Sequence, residues 1–275
     1  MKQSAIPKLV TFDGEARSGK GTIVQATKDY LRDECGYKVM LIDRGQTFRV
    51  LVVAAGRAGV DMNIPAELDT FLQDQQNVTD CVQFVKDVYH MDKDERDALL
   101  YTSEVGEKSA KVGARPASQD FVADLTKKWL WDARTEGYEV VLVDGRCLEG
   151  IASEMHADGL CDYRMGLYFI CDARVGARRT LGYAATPYDE LGAEQMQQVD
   201  QLVQQIYERN ERDRNREVER MVPPADAPTL HLPDVPHDIP AGTPRPMFVI
   251  DTSAEISKEA MSLPVATLTA SILAK

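Results

Sequence analysis

Gly14-Glu15-Ala16-Arg17-Ser18-Gly19-Lys20-Gly21-Thr22 decides the fold class, because it joins a strand-like run, Lys8-Leu9-Val10-Thr11-Phe12, to a stretch of helical period from Gly19 to Glu34. Glycines at 14, 19 and 21 let the backbone turn sharply and come close to a polyphosphate. The helix start then aims N–H donors and a partial positive charge at it. Gly14, Arg17, Ser18, Gly19, Lys20, Gly21 and Thr22 are therefore the candidate phosphate ligands, with Lys20 reaching the terminal phosphates and the Thr22 hydroxyl helping to hold Mg²⁺. Asp144, at the end of the run Val140 to Val143, stands where a second carboxylate for that metal would be expected.

Outward from the loop, short β-branched runs alternate with helical stretches, the α/β pattern. Val39 to Ile42, Val140 to Val143, Leu167 to Ile170 and Met247 to Ile250 read as further strands. Helices are expected from about Gln46 to Ala58, Ser118 to Glu136 and Ser257 to Leu273, the last capped by Ser257. Five strands with helical crossovers imply a central parallel sheet in a three-layer P-loop NTPase-type fold. Residues 1–60 and 113–275 are assigned to that core. The polar stretch 61–112 is read as an inserted, mostly helical lobe, and the eight prolines between Pro223 and Pro246 as a long surface loop.

Composition bounds the function. The 275 residues carry 32 Lys and Arg against 44 Asp and Glu, a formal charge of -12, which speaks against gripping a polymeric nucleic acid. The apolar runs, such as Val50 to Ala55, are too short for a membrane helix. Met1 to Pro7 leads into the first strand without an apolar signal region, so a cytoplasmic location is expected; a monomer is the separate expectation for its assembly. Five cysteines, Cys35, Cys81, Cys147, Cys161 and Cys171, contain no CxxC pair and read as reduced thiols.

Arg209, Arg212, Asp213 and Arg216 recur at i, i+3, i+4 and i+7, so a helix from Ala193 to Glu219 would gather them on one face suited to a phosphate and a sugar hydroxyl. A solvated helix is the other reading, since Glu208, Glu211, Glu217 and Glu219 offset the charge. Glu208 to Arg216, followed by Pro223-Pro224-Ala225-Asp226-Ala227, resembles the ERxxRDxxR segment and PAADA continuation of bacterial cytidylate kinases. Asp13 to Thr22, with its GKGT ending, agrees in order, as do Asp43 to Arg49 (similar to DTGAMYR), Thr102 to Val105, Asp144-Gly145-Arg146 and Ile250 to Ser253. The match is poor over Asp61 to Leu100 and Ala227 to Pro246.

This resemblance implies phosphoryl transfer from ATP, with Mg²⁺, to a pyrimidine nucleoside monophosphate of the CMP or dCMP type. It implies an acceptor-binding lobe at 61–112 and a mobile lid at about 179–195. It places Asp43, Arg49, Arg146, Arg209, Asp213 and Arg216 on the acceptor side, and Lys20, Arg146, Arg178 and Arg209 in the catalytic set. Where the family holds cytosine with a serine, an arginine and an aspartate, this chain has Ala110, Gln119 and Cys147. Arg44 replaces a small Thr or Ser, with its charge meeting either a base carbonyl or solvent. His90, His156, His231 and His237 lie away from these motifs. Two rival functions remain open at this level: a kinase of a hydroxyl acceptor, with Asp43 or Glu15 as base, and a nucleotide-binding regulatory protein.

Overall fold

Leu9 to Phe12 are all fully or nearly fully buried, as a strand covered on both faces of a parallel sheet requires. The computed structural model describes residues 5–217, 219–236, 239 and 246–275. Its strands are β1 (Lys8–Gly14), β2 (Val39–Asp43), β3 (Val140–Asp144), β4 (Asp162–Ile170), β5 (Thr229–His231) and β6 (Met247–Asp251). They form one sheet in the order β2-β3-β1-β4-β6-β5, and β1 runs parallel to both β3 and β4.

The helices are α1 (Lys20–Asp33), α2 (Arg44–Arg57), α3 (Pro65–Gln73), α4 (Gln75–Tyr89), α5 (Lys93–Leu100), α6 (Ser103–Val112), α7 (Pro116–Thr135), α8 (Leu148–Ala157), α9 (Ala173–Leu181), α10 (Ala193–Arg214) and α11 (Lys258–Leu273). Ser257 caps α11 as expected, accepting from Ala260 N at 3.1 Å. The strand period of two sends Val10, Phe12, Leu142, Leu167, Phe169 and Ile250 into one core with Ile23, Leu31, Val265 and Leu268 of α1 and α11. Tyr168 and Val249, at the alternate positions, pack with Met221 in a separate cluster.

Two compact units result. The first comprises Met1–Ile42, Leu130–Arg216 and Arg220–Lys275, and the second Asp43–Trp129 with Glu217–Glu219. Val50, Leu51, Leu68, Phe71, Cys81, Val88, Leu100 and Val112 form the second unit's own core. Its helix starts are set by local chemistry: Asp43, Asp74 and Thr102 accept N–H groups at the starts of α2, α4 and α6, and Pro65 opens α3.

The sheet has one strand more than the five expected, and the extra one corrects the reading of the proline-rich stretch as wholly irregular. Thr229 to His231 lie between Pro228 and Pro233 and retain their N–H groups, so β5 pairs with β6 at the sheet edge, where flanking prolines are tolerated. Leu232 and Val235 then drop into the main core. Pro240 and Pro244 lie outside the described residues.

Candidate active site

The loop after β1 is held from four sides within the first unit. At Gly14 φ is +136°, and a Cβ there would overlap the Phe169 backbone, while Glu15 N donates to Phe169 O at 2.8 Å. Asn210 Oδ1, buried on α10, accepts from Ala16 N at 2.8 Å. The Thr252 hydroxyl donates to Ser18 O at 2.7 Å, and the Ser18 hydroxyl to Glu15 O at 3.0 Å. Arg17 and Gly19 adopt left-handed backbone with φ of 59° and 79°, the alternation that turns N–H groups toward one concave face. Gly176 lets α9 lie against the loop, since a Cβ there would meet Arg17 O at 2.7 Å.

Asp13 accepts from Gly14 N at 2.6 Å and Leu148 N at 3.0 Å, tying the loop to the start of α8. Burial pushes its carboxyl above the usual range, against the opposing pull of the Leu148 N–H and the Lys20 charge. Phe12 pairs with Asp144 in the β1–β3 register, which sets Asp144 beside the loop's start, and the Lys20 ammonium is paired with that carboxylate. Thr22 is exposed in the first turn of α1.

A second cluster in the same unit surrounds Asp213, which is 1% exposed. Arg146 donates to Asp213 Oδ2, and Arg216 Nη2 stands 2.6 Å from Oδ1. Two guanidinium groups on one carboxylate leave a net positive charge, and Arg216 Nε is buried without a partner among the described residues. This is chemistry for an anion such as a phosphate. The expected single helical face does not form, because α10 stops at Arg214 and Arg216 reaches back from beyond the cap. Arg209 and Arg212 are exposed.

Arg178 is also placed differently from a residue open to substrate. It is 4% exposed, pairs with Glu255, and donates to the carbonyls of Ala184 and Thr186, so it anchors the turn after α9. Val175, Ile256, Ala184, Ala185 and Ser257 line a cavity of about 290 Å³ beside it.

In the second unit, one Asp43 carboxylate oxygen accepts from Gln46 N at 2.8 Å. Arg49 Nη1 donates to Gly45 O at 3.1 Å, its guanidinium lies 4.6 Å over the Tyr101 ring, and its buried Nε has no partner among the described residues. Arg44 is 2% exposed, which excludes the solvent-facing alternative. Ala110 is half-buried on α6 and Gln119 buried on α7, while Cys147, in the first unit, starts α8 with φ of 56°.

Comparison with known proteins decides the family: the cytidylate kinase family profile matches residues 10–234. The chain belongs to the cytidylate kinase family. It is 27% identical over 222 residues to the cytidylate kinase of Shewanella loihica, covering 80% of this chain and 84% of that one. Identity to the cytidylate kinase of Aliivibrio salmonicida is 26% over 235 residues, 81% and 88% of the two chains. For that of Cupriavidus pinatubonensis it is 22% over 236 residues, 85% and 92%.

Several residues that organise the site of this family member escape a reading by motif. Asn210 and Thr252 support the loop through single hydrogen bonds, and Arg214 is paired with Glu15. Asn210 and Arg214 sit in a run of polar residues whose composition does not tell inward from outward positions. The histidines are elsewhere: His90 caps the end of α4, His156 accepts from Tyr163 N at 3.2 Å and His231 pairs with Asp251 at 3.0 Å, while His237 lies outside the described residues. Among the described residues, no three His, Cys, Asp or Glu cluster as a metal cage, and no helix is long and apolar enough to cross a membrane.

Proposed function

We infer that this protein transfers the γ-phosphoryl group of ATP to the phosphate of a cytidine or deoxycytidine monophosphate. One observation carries the reading: a phosphate-cradling loop with Lys20 and Asp144, and a buried carboxylate flanked by Arg146 and Arg216, occur in one unit of a cytidylate kinase family chain.

The loop N–H groups and Lys20 bind the donor's phosphates. Arg146, Arg216 and Asp213 bind the acceptor phosphate and ribose, with Arg209 moving in from its exposed position. On the second unit Asp43 and Arg49 are acceptor-side residues, and 61–112 is the acceptor lobe. An acceptor phosphate with a second pKa near 6 is already largely dianionic at neutral pH. Asp43 and Glu15 are therefore not required as bases, and the arginines neutralise charge as the two phosphates approach.

Thr22 and Asp144 offer only oxygen ligands, the donor set a hard cation prefers, and Asp144 already carries a cation in Lys20. They would hold Mg²⁺, which supplies charge neutralisation on the donor phosphates. The ATP base is assigned to the cavity lined by Val175 and Ile256, on the helix that leans on the loop. The segment at about 179–195 is the lid, with Arg178 anchoring it in the present conformation. Small nucleotides are the partners of a monomer.

The test is ADP release with ATP and Mg²⁺ over ribo- and deoxyribonucleoside monophosphates, with matching nucleosides as controls. Turnover with CMP or dCMP and none with nucleosides is expected. Lys20→Ala should abolish it with the fold intact; nucleoside turnover, or full activity of that variant, overturns the reading.

A further inference from the structure

Arg44 stands in the first turn of α2, directly after the Asp43 cap, at 2% exposure. Arginines in such a place ordinarily extend their heads to water, because burying a guanidinium costs free energy that only good pairing offsets. This one is held inside the second unit. Its Nη2 stands 3.0 Å from Glu219 Oε1 and 3.5 Å from Gln119 Oε1, and its Nε is buried with no protein partner among the described residues. A buried charged donor left open calls for a partner, at Arg44 as at Arg49 and Arg216.

Two neighbours show that the arrangement is held in place. Glu219 adopts φ of 48°, a left-handed conformation that a glutamate takes only when its surroundings impose it. Gln119 is 4% exposed, and its amide is already committed at both ends: Nε2 donates to Gly113 O and Oε1 accepts from Arg44. Gln119 therefore orients Arg44.

We propose that Arg44 is the base-reading residue of the acceptor site, clamped by Glu219 and Gln119, and that its Nε–H donates to the N3 atom of a cytosine ring. The inference rests on the kinase reading given above. Its chemistry is that of a donor-only group. Cytosine offers N3 and O2 as adjacent acceptors, whereas uracil carries a hydrogen on N3 that would face Arg44 donor to donor. A fixed guanidinium thus prefers the amino-pyrimidine over the oxo-pyrimidine without the polar groups absent at Ala110 and Cys147.

The experiment measures kcat/KM with CMP and with UMP for the wild type, Arg44→Ala, Arg44→Lys and Glu219→Gln, together with each thermal midpoint. The wild type should prefer CMP. Arg44→Ala should lower the CMP to UMP ratio about tenfold to a hundredfold, mainly through KM for CMP, the scale of a lost charge-assisted hydrogen bond. Arg44→Lys keeps the charge but lacks the fixed fork, so it should lose the ratio too, and it carries the test if the alanine variant does not fold. Glu219→Gln should show a smaller loss.

Equal loss with both substrates beside a lowered thermal midpoint would make Arg44 purely structural and overturn the inference. An unchanged ratio in Arg44→Lys, or a wild-type preference for UMP, would also overturn it and leave the kinase reading standing. Wild-type inactivity with every monophosphate would remove both.

Discussion

Replacing Asn210 should separate the loop's support from its chemistry. Its Oδ1 is the acceptor for Ala16 N at 2.8 Å, and the side chain is 4% exposed. Asn210→Leu keeps the branched outline, with somewhat bulkier methyl groups, but offers no acceptor and leaves a buried N–H unsatisfied, at about 1–3 kcal/mol. At about 2–4 °C per kcal/mol for a chain somewhat shorter than this one, that is a fall in thermal midpoint of roughly 2–12 °C. Asn210→Ala opens room for a water that can meet the N–H, so its loop should suffer less although its packing is poorer. The functional readout is KM for ATP at saturating CMP, which should rise about tenfold to a hundredfold in the leucine variant as the loop loses its alignment. Thermal melts and initial rates of both variants decide the matter. A leucine variant as stable as the wild type, or with a lower KM for ATP than the alanine variant, would refute this account.

Gly14→Ala should cost about 3 kcal/mol or more, because φ of +136° and the Phe169 backbone both oppose a Cβ. A Cβ at Gly21 has no neighbour within 4 Å among the described residues, so Gly21→Ala should keep the melting midpoint while weakening ATP binding, as titration calorimetry would show. Arg146→Ala should lower kcat with CMP about a hundredfold to a thousandfold, by analogy with removing one preorganised donor from an active site, while Arg216 still pairs Asp213 and preserves the fold. The Asp251 carboxyl is held below its ordinary 3.8: burial pushes it up, but the Ser253 hydroxyl and N–H and the His231 ring outweigh that. A lowered folded pKa contributes stability that is present above pH 3.8 and lost as pH falls below it. Denaturant melts of Asp251→Asn should therefore show a shallower acid decline than the wild type, and an identical decline would count against the assigned pairing.

Much of the architecture was legible because its signals are local. The loop's glycines, the apolar runs flanking it and the cap at Ser257 each act within a few residues, so β1, α1, α2 and α11 fall close to where pattern and propensity put them. The sixth strand was not legible: Thr229 to His231 carry a weak signal amid prolines, and only the open edge of β6 gives them a partner. The arginine constellation was half legible. Spacing brought Asp213 and Arg216 together on paper, but where α10 ends decided that Arg216 folds back and that Arg209 stays outside.

The sequence alone thus determined the phosphate loop, the alternating α/β order and the identity of the charged groups, since these depend on backbone conformation and residue type over short spans. Tertiary structure alone decided which charges are buried and what faces them. Arg44 is the clearest case, because as a residue beside a cap it could have pointed to water or inward. The fold placed Glu219, 175 positions away, against its guanidinium. Asn210 likewise found Ala16, 194 positions away. Desolvation and long-range pairing depend on which segments meet in space, and no local pattern encodes that.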